Sequence, residues 1–306
     1  MFRKLVFSLM LVLTLAAAPL IAQAPKTQKA GPLDSTPILW REPADIATRD
    51  LYLGPGGAGM KPELSRVELI EESGPSKYSI RDGAGRKWVV KTGSDARAET
   101  TASRFAWACG YFTDITYLVP RVEVEGKGTL ENVRFEARPD GFKRLEEWRW
   151  DDNPFVGTRE LQGLKALLAF LDNSNLKNEN NKILLVRNDE AADSELRYII
   201  SDFDFGAVRT VAASTLWDTT NSPGKPARFI SGTKNGVVQF NYGGPHKERL
   251  SNVTVGQVKW IASLLSRLSE RQLQDAFRAG NYSVDETRAL VRVVRGRIDE
   301  MLGLSE

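Results

Sequence analysis

The sequence predicts an α+β protein of two lobes, a small antiparallel sheet with one helix followed by a mostly helical half. Three observations carry that expectation. Between residues 66 and 91, short runs alternate apolar and polar and are broken by the turn pairs Gly74-Pro75 and Asp82-Gly83, as hairpins require. One helical period follows directly. Toward the carboxyl terminus, Ser269 with Gln272 and Ser283 with Glu286 form two capping boxes that open helices.

The chain opens with Arg3 and Lys4, an apolar run from Leu5 to Leu15 and the small residues Ala16 to Ala18, the order of a secretory signal. Residues 1–24 are therefore expected to be a signal peptide cut after Ala22-Gln23-Ala24, with Pro25 hindering the cut, and the protein to be exported, periplasmic or secreted. If the signal stayed uncleaved, the 17 residues from Leu5 to Ile21 would sit at the short limit for a span and form an amino-terminal membrane tether. No cysteine lies near the signal, which excludes a lipid anchor. Residues 25–50 are rich in Pro, Lys, Thr and Ala without a period and read as a linker.

Residues 51–138 are expected to form the first lobe. Gly54-Pro55-Gly56-Gly57-Ala58-Gly59 invites a phosphate-loop reading, but Met60 separates Lys61 from the glycines and Pro62 follows it, so a flexible surface loop is expected. Strands are predicted over 66–71, 77–81 and 87–91, then a helix capped by Asp95 and running to Cys109, then strands over 117–125 and 133–138. Residues 139–306 are expected to form the second lobe. A charged junction from Pro139 to Pro154 leads to a helix over 158–171 and short strands over 183–186 and 196–200. Residues 209–252 show little periodicity, and helices begin again at Thr254.

The net charge of +3 falls when Arg3 and Lys4 leave with the signal, to 40 cations against 39 anions, a balance that offers nothing to nucleic acid. Cys109, the one cysteine, sits in an apolar helical setting and reads as buried and inert; His246, the one histidine, lies in a glycine-rich loop. Zinc sites and Cys–His pairs therefore have too few parts. Chemistry here must run on carboxylates, lysines, amides and a metal held by oxygen.

Three pieces offer those groups in order. Lys91 ends a strand and Glu99 follows eight residues later on the next helix. Asp172 ends a helix, and the loop Asn175-Leu176-Lys177-Asn178-Glu179-Asn180-Asn181 comes after it. Ser201-Asp202-Phe203-Asp204-Phe205-Gly206 follows a strand. Together they resemble the protein-kinase-like fold, whose signature is a strand lysine paired with a helix glutamate, an Asp-Leu-Lys-Pro-x-Asn loop and Asp-Phe-Gly. The likeness spans about residues 65–210. Residues 87–112 with Asp152-Asn153-Pro154-Phe155-Val156-Gly157-Thr158-Arg159-Glu160 are also similar to a family of uncharacterised exported bacterial proteins, in which the loop reads Asn-Trp-Asp-Leu-Lys and a later segment Ser-Asp-Leu-Gly.

The resemblance implies ATP and Mg2+ as cofactors, because phosphoryl transfer needs a lysine and metal ions to neutralise charge and a carboxylate to orient the attacking hydroxyl. It assigns Lys91 to the nucleotide phosphates, Glu99 to holding Lys91, Lys177 to the phosphoryl group, and Asn180 and Asp202 to magnesium. Asp204, the aspartate of the literal Asp-Phe-Gly, competes with Asp202 for the metal. Asn175 stands where kinases place the carboxylate; its amide can position a hydroxyl but cannot take a proton, and Asp172 is the candidate substitute. The turn from Ser73 to Lys77 offers a phosphate-gripping loop only Gly74. The expected function is an exported, ATP/Mg-dependent phosphotransferase with an atypical catalytic loop, acting on a protein or small-molecule hydroxyl. The alternative is a non-catalytic pseudokinase-type module that binds through its cleft or through the basic face of Arg288, Arg292, Arg295 and Arg297.

Overall fold

The computed structural model describes residues 35–187, 194–206 and 228–305; the predicted signal over 1–24 lies outside the described residues. The first lobe is an antiparallel sheet of β2 (Glu68–Gly74), β3 (Lys77–Arg81), β4 (Lys87–Lys91), β5 (Thr116–Val124) and β6 (Gly128–Ala137), in the order β2-β3-β4-β6-β5. The β3–β4 turn forms because Asp82 accepts from the backbone N–H groups of Ala84 and Arg86 at 3.1 and 2.8 Å and from the Trp88 indole at 3.0 Å. Trp88 then meets Tyr117 and Phe135 edge to face across the buried side of the sheet.

The helix α1 (Ser94–Ala108) starts after Gly93, whose φ of 113° makes the turn out of β4. Asp95 lies inside the first turn rather than at the cap, where its charge suits the helix dipole. The α1 helix serves both lobes. Thr101 donates to the Ala276 carbonyl at 3.2 Å, and Phe105 meets Phe170, Phe205 and Phe277 edge to face in the core of the second lobe.

The second lobe carries α2 (Arg159–Leu171), α3 (Val255–Ser266), α4 (Glu270–Ala279) and α5 (Val284–Leu302). Thr158 caps α2 by accepting from the Leu161 N–H at 3.2 Å, and the predicted boxes at Ser269 and Ser283 are both closed, as is a third at Thr254. A four-stranded sheet of order β1-β9-β8-β7 accompanies the helices, built from β1 (Ser35–Ile38), β7 (Phe142–Arg144), β8 (Asn181–Arg187) and β9 (Ser194–Ile200). A hairpin of β10 (Ile230–Lys234) and β11 (Val237–Phe240) occupies part of the stretch that showed no period.

Two expectations change. Residues 35–50 are packed chain rather than linker: β1 runs parallel to β9, Leu39 and Ile46 are buried, and Gln272 donates to the Ile46 and Arg49 carbonyls at 2.8 and 3.0 Å. Their apolar residues fill gaps at irregular spacing and so leave no period to read. The glycine-rich segment is also docked. Tyr117 donates to the Gly57 carbonyl at 2.7 Å, and a Cβ at Gly54 (φ 71°) would fall 2.4 Å from the buried Arg104 guanidinium.

Candidate functional site

The β4–β6 register sets Lys91 directly opposite Arg134. Two cations facing one another across a ladder repel, so an anion must lie between them. Glu99, three helical residues into the buried face of α1 from Ala96, supplies it. The Lys91 ammonium donates to Glu99 Oε1, while Arg134 Nε lies 3.0 Å from Glu99 Oε2, near enough for an ion pair though poorly aligned for a hydrogen bond. Burial pushes the Glu99 carboxyl up to about 7, against the pull of Arg134 and Lys91. Burial works to lower Lys91, but the charges of Glu99 and Asp202 prevail and raise it.

The second lobe reaches the same amine. Asp202 Oδ1 lies 3.5 Å from Lys91 Nζ, though the two residues are 111 positions apart. Asp202 stays a third exposed, at 36 %, so its carboxylate remains open to a ligand. Asn180 arrives beside it through the backbone, because the Ser201 N–H donates to the Asn180 carbonyl at 2.7 Å where β8 and β9 begin and end. The Asn180 side-chain nitrogen donates to the Asn175 carbonyl at 3.1 Å, so the amide oxygen is the atom it can offer a cation.

The other predicted residues have different places. Asp204 is buried; it accepts from the Ser174 hydroxyl and, at 2.7 Å, from the Phe205 N–H, while its own N–H donates to Asn173 Oδ1 at 2.5 Å. Those contacts fasten the Asp-Phe-Gly segment to the loop after α2, and Asp202 is the aspartate that meets Lys91. Asp172 ends α2 in the left-handed conformation, φ 54° and ψ 45°, and its carboxylate abuts Gly206, where a Cβ would fall 2.5 Å from Oδ2. Asn175 is half-buried and Lys177 is exposed at the head of a single 3-10 turn, Asn178–Asn180. The basic face of α5 is partly spent: Arg295 donates to the Leu268 carbonyl at 2.7 Å, Arg297 to the Phe170 carbonyl, and Arg288 pairs with Asp285 at 3.0 Å.

Residues that the sequence did not single out extend the cluster. Arg134 donates to Glu136 Oε2 at 3.0 Å, and Glu136 Oε1 accepts from Arg138 at 2.5 Å and Arg144 at 2.7 Å. Burial disfavours the Glu136 charge, but Arg134, Arg138 and Arg144 outweigh it and hold the carboxyl below its usual range. Arg144 also donates to Asp114 and, at 2.9 Å, to the Ser201 hydroxyl, which itself donates to Asp114 at 2.6 Å. The buried thiol of Cys109 is pushed up by desolvation and takes no part.

Among the described residues, no three His, Cys, Asp or Glu side chains gather as a protein-only metal cage would need, and no helix is long and apolar enough to cross a membrane. One carboxylate and one amide oxygen fit magnesium, which keeps waters and shares its remaining positions with phosphate oxygens. Apart from this cluster, a cavity of about 500 Å³ lies between β11 and the turn at Lys247–Leu250, floored by Val238, Phe240, Tyr242 and Leu250.

No protein-family model matches the chain, and no curated protein matches its sequence. The fold is α+β, with a sheet-and-helix lobe ahead of a mostly helical one. A solved structure, that of a Helicobacter pylori proinflammatory kinase, CtkA, is similar at a TM-score of 0.46 and 12 % identity, covering 78 % of this chain and 97 % of that one. That likeness is loose. The site is defined by the contacts of Lys91 with Glu99 and Asp202.

Proposed function

We propose that this chain is an exported kinase-like protein that binds ATP with magnesium at the Lys91 cluster and transfers the γ-phosphoryl group to a hydroxyl of a protein or small molecule. The observation that carries this reading is a single amine, Lys91 Nζ, held by Glu99 and lying 3.5 Å from Asp202. Lys91 would lie against the phosphates, and Asp202 and Asn180 would hold the metal, whose charge offsets that of the transferring group. Phosphoryl transfer relies on positioning and electrostatics more than on proton abstraction, so an amide at Asn175 slows the reaction rather than forbidding it. Export rests on residues 1–24 alone.

The experiment is transfer of labelled phosphate from ATP by the purified chain, with Lys91→Ala and Asp202→Ala as controls. Transfer that both substitutions leave intact would sink the site assignment. A second reading, a non-catalytic module that binds nucleotide, is favoured by the neutral Asn175 and by the commitment of Asp204 to Ser174. It predicts that magnesium and ATP raise the melting temperature by mass action with no phosphate transferred.

A further inference from the structure

The ion pairs around Lys91 close into a ring. From Lys91 the path runs to Glu99, then Arg134, Glu136 and Arg144, then to the Ser201 hydroxyl, and Ser201 is bonded covalently to Asp202, which faces Lys91 again. Asp114 locks the last corner by accepting from both Arg144 and Ser201. Its neighbour Thr113 bridges Ile200 through the backbone, so the corner is anchored twice. Glu99, Arg134, Glu136 and Asp114 are all more than nine-tenths buried. In such a setting each charge depends on its neighbour, because an unpaired one leaves a large desolvation cost.

We propose that Arg144, Asp114 and Ser201 are positioning residues that hold the Asp202 carboxylate at the metal side of the cleft, and that Glu136 and Arg134 tie this hold to Glu99. The proposal rests on the nucleotide-and-metal reading of the Lys91 cluster. Its physical content is narrow. Asp202 follows β9 in a segment with no helix or strand of its own, and a partly exposed carboxylate there would sample many directions. The Ser201 hydroxyl accepts from Arg144 and donates to Asp114, which fixes the residue just before Asp202. None of the three touches Lys91, and each acts through the loop.

The test compares ATP affinity with magnesium and with the metal chelated, by calorimetry on the full chain, for the wild type, Ser201→Ala, Arg144→Lys and Arg144→Ala. Ser201→Ala removes one hydroxyl and keeps every charge, so it keeps the proposal falsifiable should Arg144→Ala fail to fold. The expected result for Ser201→Ala is about a tenfold loss of affinity with magnesium and a change within about twofold without it, a tenfold loss being about 1.4 kcal/mol. Arg144→Lys, which keeps a charge but lacks the planar fork that reaches Asp114, Glu136 and Ser201 together, should resemble Ser201→Ala more than the wild type. Equal losses with and without metal would mark the corner as structural support only and overturn the proposal, as would no loss in either. A wild type that binds ATP in neither condition removes the nucleotide reading itself, an outcome visible before any variant is compared.

Discussion

The surroundings of Lys91 and the loop after α2 are built from different chemistry. On the sheet side, Lys91, Arg134, Arg138 and Arg144 interleave with Glu99, Glu136 and Asp114, and almost every charge is paired and shielded. On the loop side, from Asp172 to Asn180, amides and hydroxyls do the holding: Asn180 closes on Asn175, Asn173 on Asp204, and Tyr242 donates to the Asn173 carbonyl at 2.9 Å. The sheet side is built on opposed charges. The loop side presents the neutral amide of Asn175, half-buried ahead of the 3-10 turn Asn178–Asn180. Under the proposed function, such a site is strong in electrostatics and weak in proton transfer.

The sharpest way to break that contrast is to remove the anion between two cations. Glu99→Ala leaves Lys91 and Arg134 facing each other on adjacent strands, and it should cost about 3–5 kcal/mol in denaturant unfolding, the range for breaking one partner of a buried pair. A loss below about 1 kcal/mol would mean that Glu99 is not the keystone of the sheet side. The loop side is sharpened by the opposite change. Asn175→Asp restores a proton acceptor and should raise phosphate transfer by about 10²-fold, with ATP affinity unchanged within about twofold. An unchanged rate would show that residue 175 does not face the acceptor hydroxyl.

The smallest effect is on pH. The Glu99 carboxyl stands at about 7 in the folded chain and near 4.5 when unfolded. A raised carboxyl favours the folded state fully below 4.5, and that contribution is lost as pH rises through about 7. Ionised Glu99 is also the form that holds Lys91, so affinity for magnesium and ATP should rise a few-fold between pH 6 and 8. Glu99→Gln should flatten both dependences. Unaltered slopes in that variant would assign the titration to another group.

Much of the sheet side was legible where local chemistry decides the structure. The strands β3 and β4 match their predicted bounds, because alternation and the Asp82-Gly83 turn act within a few residues. Lys91 and Glu99 stood out through the resemblance to the protein-kinase-like fold, on the strand-lysine and helix-glutamate pattern. Arg134 and Glu136 were not, for a physical reason: on β6 they alternate with Val133, Phe135 and Ala137, and a period of two assigns them to solvent. The other faces of the molecule bury them instead. Asp114, Arg144 and Ser201 come from separate elements, 30 and 57 residues apart along the chain, and no local pattern joins them. The docking of residues 35–50 left no local signal likewise, since Leu39 and Ile46 fill gaps in other elements' packing rather than forming a face of their own.

The central claim is that Lys91 and Asp202 act as one site, and a double-mutant cycle tests it most directly. Calorimetric titration of the wild type, Lys91→Ala, Asp202→Ala and the double variant with ATP and magnesium should show at least about a tenfold loss for each single change. The double variant should be little worse than the weaker single one, a coupling of at least about 1 kcal/mol. Losses that simply add, or a wild type that takes up no nucleotide, would contradict it.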